Sequence, residues 1–207
     1  RHVPTRTHAF LKLLSNKGLL RRTYTQNIDG LERLAGIPER KIVEAHGSFS
    51  RSYCVECHAD FDNNLMRRCI LDGTIPHCKS CGGLTKPGIV FFGEDLSRRF
   101  YELHRSDLKA CDLLIVAGTS LRVQPFCDLP RLVKHAPRVL INRERVGVGG
   151  HNGFEFSTKK QKSLGRDVDA LGNCDDVVSE LADLLGWREE LESMYESFSL
   201  RIERRER

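Results

Sequence analysis

Cys54, Cys57, Cys78 and Cys81 stand as two C-x-x-C pairs separated by twenty residues. Each C-x-x-C turn aims two thiolates at one point, and two such turns make a closed tetrahedral site suited to Zn²⁺. The gap lies at the top of the range of a zinc ribbon; chance pairs and disulfides are the competing readings. Four thiolates leave the metal no open position, so a zinc there holds structure and the reaction chemistry belongs elsewhere. His58 and His77 flank the pairs as alternative ligands, but beside a complete Cys₄ set they read as solvated loop positions. Cys69 reads as a thiol of the same module, and Cys111 and Cys127 as core or helix cysteines.

Other candidates for chemistry gather where strands are predicted to end. Leu19–Thr25 runs into Gln26-Asn27-Ile28-Asp29-Gly30, and Ile42–Ala45 into His46-Gly47. Asp112–Ala117 runs into Gly118-Thr119-Ser120-Leu121, and Val139–Ile141 into Asn142-Arg143-Glu144. In open α/β sheets, ligands sit at the carboxyl ends of the strands. Gly118-Thr119-Ser120 offers backbone N–H groups and two hydroxyls, which suit a phosphate or a ribose, or simply make a turn. Gln26, Asn27 and Asp29 are equally at home as turn formers. Histidine is the side chain suited to proton transfer near neutral pH, so His46 could serve as a general base, although a lone histidine is more often structural. Each cluster alone is weak; their simultaneous placement is informative.

The elements that must position these residues follow from periodicity. Thr5 can cap a helix to Lys17 with Phe10, Leu11, Leu13 and Leu14 on its apolar face, stopped by Gly18. A short helix is expected around Leu31 to Leu34. Residues 48–86 show little periodicity, as expected of a module held by metal rather than by core burial. Afterwards Gly88 to Phe92 reads as an apolar strand and Arg98 to Cys111 as a helix. Asp112–Gly118 is a continuous apolar run, expected of a strand buried on both faces of a parallel sheet. A helix near Phe126 to His135 and a strand over Arg138–Asn142 follow. Val146 to Gly165 reads as a loop with a short strand at Phe154-Glu155-Phe156. Asp175 to Gly186 is predicted helical, capped by Asp175 or Asn173, with Val177, Val178, Leu181, Leu184 and Leu185 on its buried side. Trp187 to Arg207 carries many charges and is expected to be a solvated or fraying helix. Alternating strand and helix predicts an α/β fold, a doubly wound parallel (Rossmann-like) sheet with a small inserted zinc-ribbon module. The domain reading is 1–47 and 87–187 for the Rossmann-like part, 48–86 for the zinc-binding module and 188–207 for a charged helical tail.

Composition sets outer bounds. At 207 residues the chain can bury one core plus a small module. No apolar run reaches the roughly eighteen residues of a spanning helix, so no membrane partner is expected. Eight cysteines, four of them in metal-type pairs, fit a reducing compartment better than a disulfide scaffold. A net charge of +5 does not demand nucleic acid, and Lys and Arg do not interleave with aromatics around the cysteine pairs as a nucleic-acid face requires.

Taken in order, Thr25-Gln26-Asn27-Ile28-Asp29-Gly30-Leu31, Glu44-Ala45-His46-Gly47, the cysteine quartet, Lys86-Pro87-Gly88-Ile89-Val90-Phe91-Phe92-Gly93-Glu94 and Gly118-Thr119-Ser120-Leu121 resemble the sirtuin family of NAD-dependent protein lysine deacylases. Order and spacing agree over roughly residues 4–187, and Leu140-Ile141-Asn142 and Leu171-Gly172-Asn173-Cys174-Asp175 look similar too. Val123-Gln124-Pro125-Phe126 and Ala182-Asp183-Leu184-Leu185-Gly186-Trp187 look most like the class I, largely cytoplasmic or nuclear branch.

The resemblance implies an NAD-dependent protein lysine deacetylase. In that chemistry NAD⁺ is consumed: the acetyl-lysine oxygen attacks the nicotinamide ribose, nicotinamide leaves, and the acetyl group ends on ADP-ribose. His46 would be the base that activates a ribose hydroxyl, with Asn27 as its catalytic companion holding the ribose and a water. Gln26, Ile28 and Asp29 would share the nicotinamide and ribose pocket, and Gly118, Thr119 and Ser120 the phosphate and ribose contacts. Asn142, Arg143 and Glu144 fall where the family binds the adenosine ribose, with Arg143 standing where lysine is common and suited to a backbone or stacking contact. Cys174 matches a position beside the adenine, or is a small core thiol. Val90, Phe91, Phe92, Gly93 and Glu94 match the segment that receives the acyl-lysine peptide as an added strand. The implied cofactors are NAD and a structural Zn²⁺ on Cys54, Cys57, Cys78 and Cys81, and the implied partners are acetylated proteins such as histones or tubulin.

One departure stands out. The family's opening βα unit, with its Gly-Ala-Gly-Ile-Ser-type diphosphate loop, has no counterpart here. If the chain were complete, poor NAD binding and a partly exposed sheet edge would be expected, and acyl preference is under-determined. Competing classes are a zinc-ribbon binding module, an enzyme preferring other acyl groups, and a dinucleotide oxidoreductase, which the lack of a G-x-G-x-x-G disfavours. A zinc hydrolase would need an open metal position.

Overall fold

The computed structural model describes residues 2–151, 153–156 and 165–206, with the side chains of residues 199–206 outside the description. Nine residues of the loop expected over 146–165, residue 152 and residues 157–164, thus lie outside the described residues. The chain begins with helix α1 (Arg6–Asn16), whose first turn is tied by the Thr5 N–H donating to His8 Nδ1 at 3.2 Å. Strand β1 (Thr23–Thr25) pairs in parallel with β2 (Ile42–Glu44), with Tyr24 opposite Val43. Helix α2 (Leu31–Leu34) and a 3₁₀ turn at Glu39–Lys41 make the crossover.

From β2 the chain passes directly into an antiparallel sheet. Strands β3 (Gly47–Cys54), β4 (Asp60–Phe61) and β5 (Thr85–Ile89) are ordered β4-β3-β5, with helix α3 (Asn63–Asp72) between β4 and β5. Helix α4 (Arg98–Ala110) then leads to β6 (Leu114–Ala117), followed by a short α5 (Leu129–Leu132), β7 (Arg138–Asn142) and β8 (Asp167–Leu171). These three strands form a parallel sheet in the order β6-β7-β8. Helices α6 (Cys174–Leu184) and α7 (Arg188–Glu206) complete the chain.

The central parallel strand β7 is covered on two faces, because successive side chains point to opposite sides. Ile141 packs with Phe10 and Leu13 of α1, Val178 and Ala182 of α6, and Leu191 and Phe198 of α7. Its neighbour Leu140 points the other way, against Phe154 and Phe156, whose rings stack 5.2 Å apart. A separate cluster of Val43, Ala45, Phe100, Leu108, Leu129 and Val133 joins β2 to α4 and α5. At the heart of the parallel sheet, Arg138 reaches Asp167 with Nε to Oδ1 at 2.7 Å, both fully buried.

Several expectations are corrected. The strand expected over Gly88 to Phe92 lies earlier, at Thr85–Ile89, and pairs with β3 instead of opening the parallel rhythm. The segment 48–86 is more regular than its weak periodicity predicted. Helix α3 was missed although both its signals stand in the sequence: the Asp62 carboxylate caps the Leu65 N–H at 2.7 Å, and Gly73 ends it in the left-handed region. The run Asp112–Gly118 is not buried on both faces: Leu113 is 47% exposed and Leu114, Ile115 and Val116 are half-buried. The physical reason is that β6 pairs only with β7 among the described residues, so β1-β2 and β6-β7-β8 are two sheets. The strand expected from Leu19 shortens to Thr23–Thr25, and Leu19 is exposed. Phe154-Glu155-Phe156 makes a single bridge, Val148 to Phe154. Leu184 is 85% exposed and not on the buried side of α6. The charged tail is not merely solvated: Leu191 and Phe198 are buried, and Arg6 of α1 clamps Glu192 at 3.0 Å.

Candidate active site and metal centre

Four thiols converge at one end of the antiparallel sheet. Cys54 ends β3, Cys57 follows in the turn, and Cys78 and Cys81 lie in the loop before β5. Their four Sγ atoms lie within 4.8 Å of one another, with Cys54 to Cys81 at 3.5 Å and Cys57 to Cys78 at 3.7 Å. A tetrahedral Zn²⁺ with Zn–S bonds of about 2.3 Å separates its sulfurs by about 3.8 Å, so the quartet fits that ion. All four are free thiols, which removes the disulfide reading. The thiols also titrate apart. Backbone N–H groups of Cys81 and Ser80 bring Cys78 down to about 6. The Gly83 N–H favours the Cys81 thiolate, but the neighbouring thiols of Cys57 and Cys54 outweigh it and push Cys81 up to about 12. Crowding four thiolates is unfavourable until a divalent cation offsets their charge. His58 and His77 lie outside the cluster, with His77 Nδ1 3.0 Å from the Gly82 carbonyl.

The second site is built from strand ends. His46 follows β2 and its Nδ1 stands 3.0 Å from the Gln26 carbonyl oxygen, just beyond β1. A carbonyl only accepts, so in the neutral ring Nδ1 carries the proton and Nε2 is the basic nitrogen. Nε2 makes no hydrogen bond among the described residues. Gly47 locks the next step: its φ is +69°, and a Cβ there would fall 2.0 Å from the Gly88 carbonyl oxygen, so only glycine lets β3 meet β5 beside the histidine.

The Gln26 side chain extends the cluster to the second sheet. Thr119 Oγ1 donates to Gln26 Oε1 at 3.1 Å, joining the ends of β1 and β6. Asn142, at the end of β7, donates from Nδ2 to the carbonyls of Thr119 at 3.2 Å and Glu144 at 3.0 Å. Gly118 donates its N–H to Ile141 at 3.0 Å, so that group is not free for a phosphate as the sequence suggested, whereas those of Thr119 and Ser120 make no hydrogen bond among the described residues. Ser120, Arg143 and Glu144 are exposed. Arg143 Nε donates to Asn173 Oδ1 at 3.0 Å. Cys174 is half-buried against the Ile141 carbonyl at 3.7 Å, and burial raises its thiol pKa. Asn27 and Asp29 are exposed on the loop after β1, with Asp29 Oδ1 accepting the Leu31 N–H at 3.0 Å and Ile28 half-buried between them. Thr25 was missed by sequence reasoning: its Oγ1 accepts the Asn27 N–H at 3.1 Å and shapes that loop.

The peptide-matching segment begins at the same histidine, since Val90 donates its N–H to the His46 carbonyl at 2.9 Å. Phe91 and Phe92 are exposed, and Glu94 turns back to accept the Phe91 N–H at 2.9 Å. A concavity of about 430 Å³ lies elsewhere, lined by Asp95, Leu96, Arg98, Tyr101 and Glu102, and contains none of the strand-end residues.

A histidine at one strand end, hydroxyl and amide groups at three others and a cluster of four thiols on an adjoining sheet occur together in a recognisable order. A profile of the Sir2 family matches residues 1–125. The chain belongs to the Sir2 family. It is 49% identical over 190 residues to the NAD-dependent deacetylase sir2A of Dictyostelium discoideum, covering 90% of this chain and 36% of that protein. It is 47% identical to the NAD-dependent protein deacetylase hst2 of Schizosaccharomyces pombe, with 95% of this chain and 56% of that protein covered. It is also 47% identical to the NAD-dependent protein deacetylase sirtuin-2 of Danio rerio, with 92% and 52% covered. The chain thus spans about half the length of such curated relatives. The polar groups at the strand ends thus stand close in pairs, Gln26 with His46 and with Thr119, and Asn142 with Thr119.

Proposed function

We propose that the protein is an NAD-dependent protein lysine deacetylase with His46 as its general base. The observation that carries this reading is the hydrogen bond of His46 Nδ1 to the Gln26 carbonyl, which leaves Nε2 as the basic nitrogen in the loop cluster that includes Asn27. Bound NAD⁺ supplies a ribose carbon from which nicotinamide departs and an ADP-ribose that accepts the acetyl group. In that setting His46 Nε2 takes the proton of a ribose hydroxyl. Asn27, exposed and with its backbone pinned by Thr25, orients ribose and water, and Asp29 accepts from the carboxamide. Gln26, Ile28, Gly118, Thr119 and Ser120 line the nicotinamide and phosphate side, and Asn142, Arg143, Glu144 and Cys174 the adenosine side. Val90 to Glu94 receives the peptide, next to the edge strand β5 of its sheet. Zn²⁺ on the four cysteines has a structural role. Acetylated proteins are the substrate class, with histones and tubulin as candidates.

The test is His46→Ala in the full protein that carries this chain, given acetyl-lysine peptide with and without NAD⁺. Steady-state formation of deacetylated peptide should fall by about 10²–10⁴-fold with the fold retained. Undiminished NAD-dependent deacetylation by a folded variant would sink the role of His46.

A further inference from the structure

We infer that Lys86 is a positioning residue for the peptide-receiving turn: its buried ammonium clamps the Glu94 carboxylate and so sets where Phe91 and Phe92 stand. This rests on the deacetylase reading and adds to it a residue outside the catalytic and cofactor sets. Lys86 is only 8% exposed, unusual for a lysine. It sits in β5 opposite Tyr53 of β3, one step along the ladder from the pair Thr85 and Cys54, a metal-cluster cysteine. Its Nζ lies 2.6 Å from Glu94 Oε1 and 4.3 Å from the centroid of the Phe91 ring. A buried ammonium is costly without a partner, so this lysine has few other places to go.

Glu94 is the other half of the device. Its Oε2 accepts the Phe91 N–H at 2.9 Å while its own N–H donates to the Phe91 carbonyl at 3.0 Å. The turn closes through Gly93 at φ +89°, a conformation that favours glycine. The hydrogen bond from Lys86 and that from Phe91 hold the Glu94 carboxyl below its ordinary range, so it stays charged. The segment is therefore tied at both ends, Val90 to the His46 carbonyl and Glu94 to Lys86, with Phe92 fully exposed between them. Such a turn presents a preorganised surface to an extended acyl-lysine peptide and spares it the ordering cost on binding. The arrangement also connects the thiol cluster to substrate binding, through the same β3–β5 ladder.

Lys86→Met removes the ammonium and keeps the apolar stem, whereas Lys86→Arg keeps the charge. With acetyl-lysine peptide at saturating NAD⁺, Lys86→Met should raise the peptide KM about tenfold, with kcat and the KM for NAD⁺ within about twofold of the wild type. Lys86→Arg should return the peptide KM to within about threefold, and Lys86→Met with Glu94→Gln together should be no worse than the larger single effect. If Lys86→Met does not fold, Lys86→Gln, which removes the charge and keeps a polar head on β5, carries the same test. A lowered melting temperature with an unchanged peptide KM, or a fall in kcat alone, would overturn the inference while leaving the deacetylase reading intact. A wild-type protein that neither binds the peptide nor releases nicotinamide would overturn both.

Discussion

The antiparallel sheet that carries the cysteines and the parallel sheet β6-β7-β8 reach order by different means. The parallel sheet is sandwiched: Ile141 is buried under α1, α6 and α7, and Leu140 under Phe154 and Phe156. The antiparallel sheet has little to bury. Met66 is the buried residue of α3, while Ile70, Leu71, Ile75 and Leu84 are exposed, and the cohesive feature is the thiol cluster. A small module with so thin a core needs a metal where a larger one relies on apolar burial. The difference teaches where each region is vulnerable, and Lys86 ties the turn Phe91–Glu94 to the sheet that carries the cysteines.

Three experiments would break or sharpen this contrast. The largest effect is expected from the metal. Chelation, or Cys78→Ser, should disorder the module and reduce turnover by more than about 100-fold, with far-UV circular dichroism of the parallel region largely retained. Zinc, or another divalent ion that keeps tetrahedral geometry, should restore activity after chelation. A single cooperative loss of all structure on chelation would show that the two regions are one unit and would abolish the contrast. Next, Leu140→Ala should destabilise the parallel region by about 2–5 kcal/mol in denaturant titration, as a fully buried leucine cut to a methyl leaves a cavity. The zinc content of that variant should be unchanged.

The smallest effect is in the pH response. Burial alone would raise the pKa of Asp175, but hydrogen bonds from Thr7 and Thr5, at 2.9 Å from the Thr7 N–H and 2.8 Å from Thr5 Oγ1, outweigh it and leave it below the ordinary 3.8. Asp167 is likewise held low, with burial opposed by Arg138. A depressed carboxyl stabilises the native state above its unfolded pKa, and that contribution disappears as pH falls through the native value. The urea midpoint should therefore decline below about pH 4, and Asp175→Asn should blunt the decline. The module should release its metal at a higher pH than this, because acid protonates thiolates first. Metal loss and sheet unfolding at the same pH would contradict the contrast.

Much of this was legible in the residues, and the misses have physical causes. The cap Thr5 and the breaker Gly18 located α1 well because both act locally, and residue pattern alone placed α2 and α4 close to where they lie. The cysteine spacing announced its own geometry. Strand edges were less legible: the apolar run Asp112–Gly118 looks the same whether its strand has one neighbour or two, and only pairing reveals that Leu113 is exposed. Helix α7 reads as a charged tail, yet Leu191 and Phe198 sit seven residues apart on one face that α1 covers. Thr25 and Lys86 each head a quoted motif, but neither had a role legible there; their contacts are with Asn27 and Glu94, which the fold brings to them.

By itself the sequence determined the residue types and their spacing: the thiol quartet, the polar strand ends, and the alternation that makes an α/β fold, since each is set by neighbours a few positions apart. Only the tertiary structure decided which nitrogen of His46 is basic, because that depends on a carbonyl twenty residues away. It alone joined Gln26 to Thr119, ninety-three residues on. It also separated the parallel strands into two sheets, since hydrogen bonds between strands depend on which segments pack side by side.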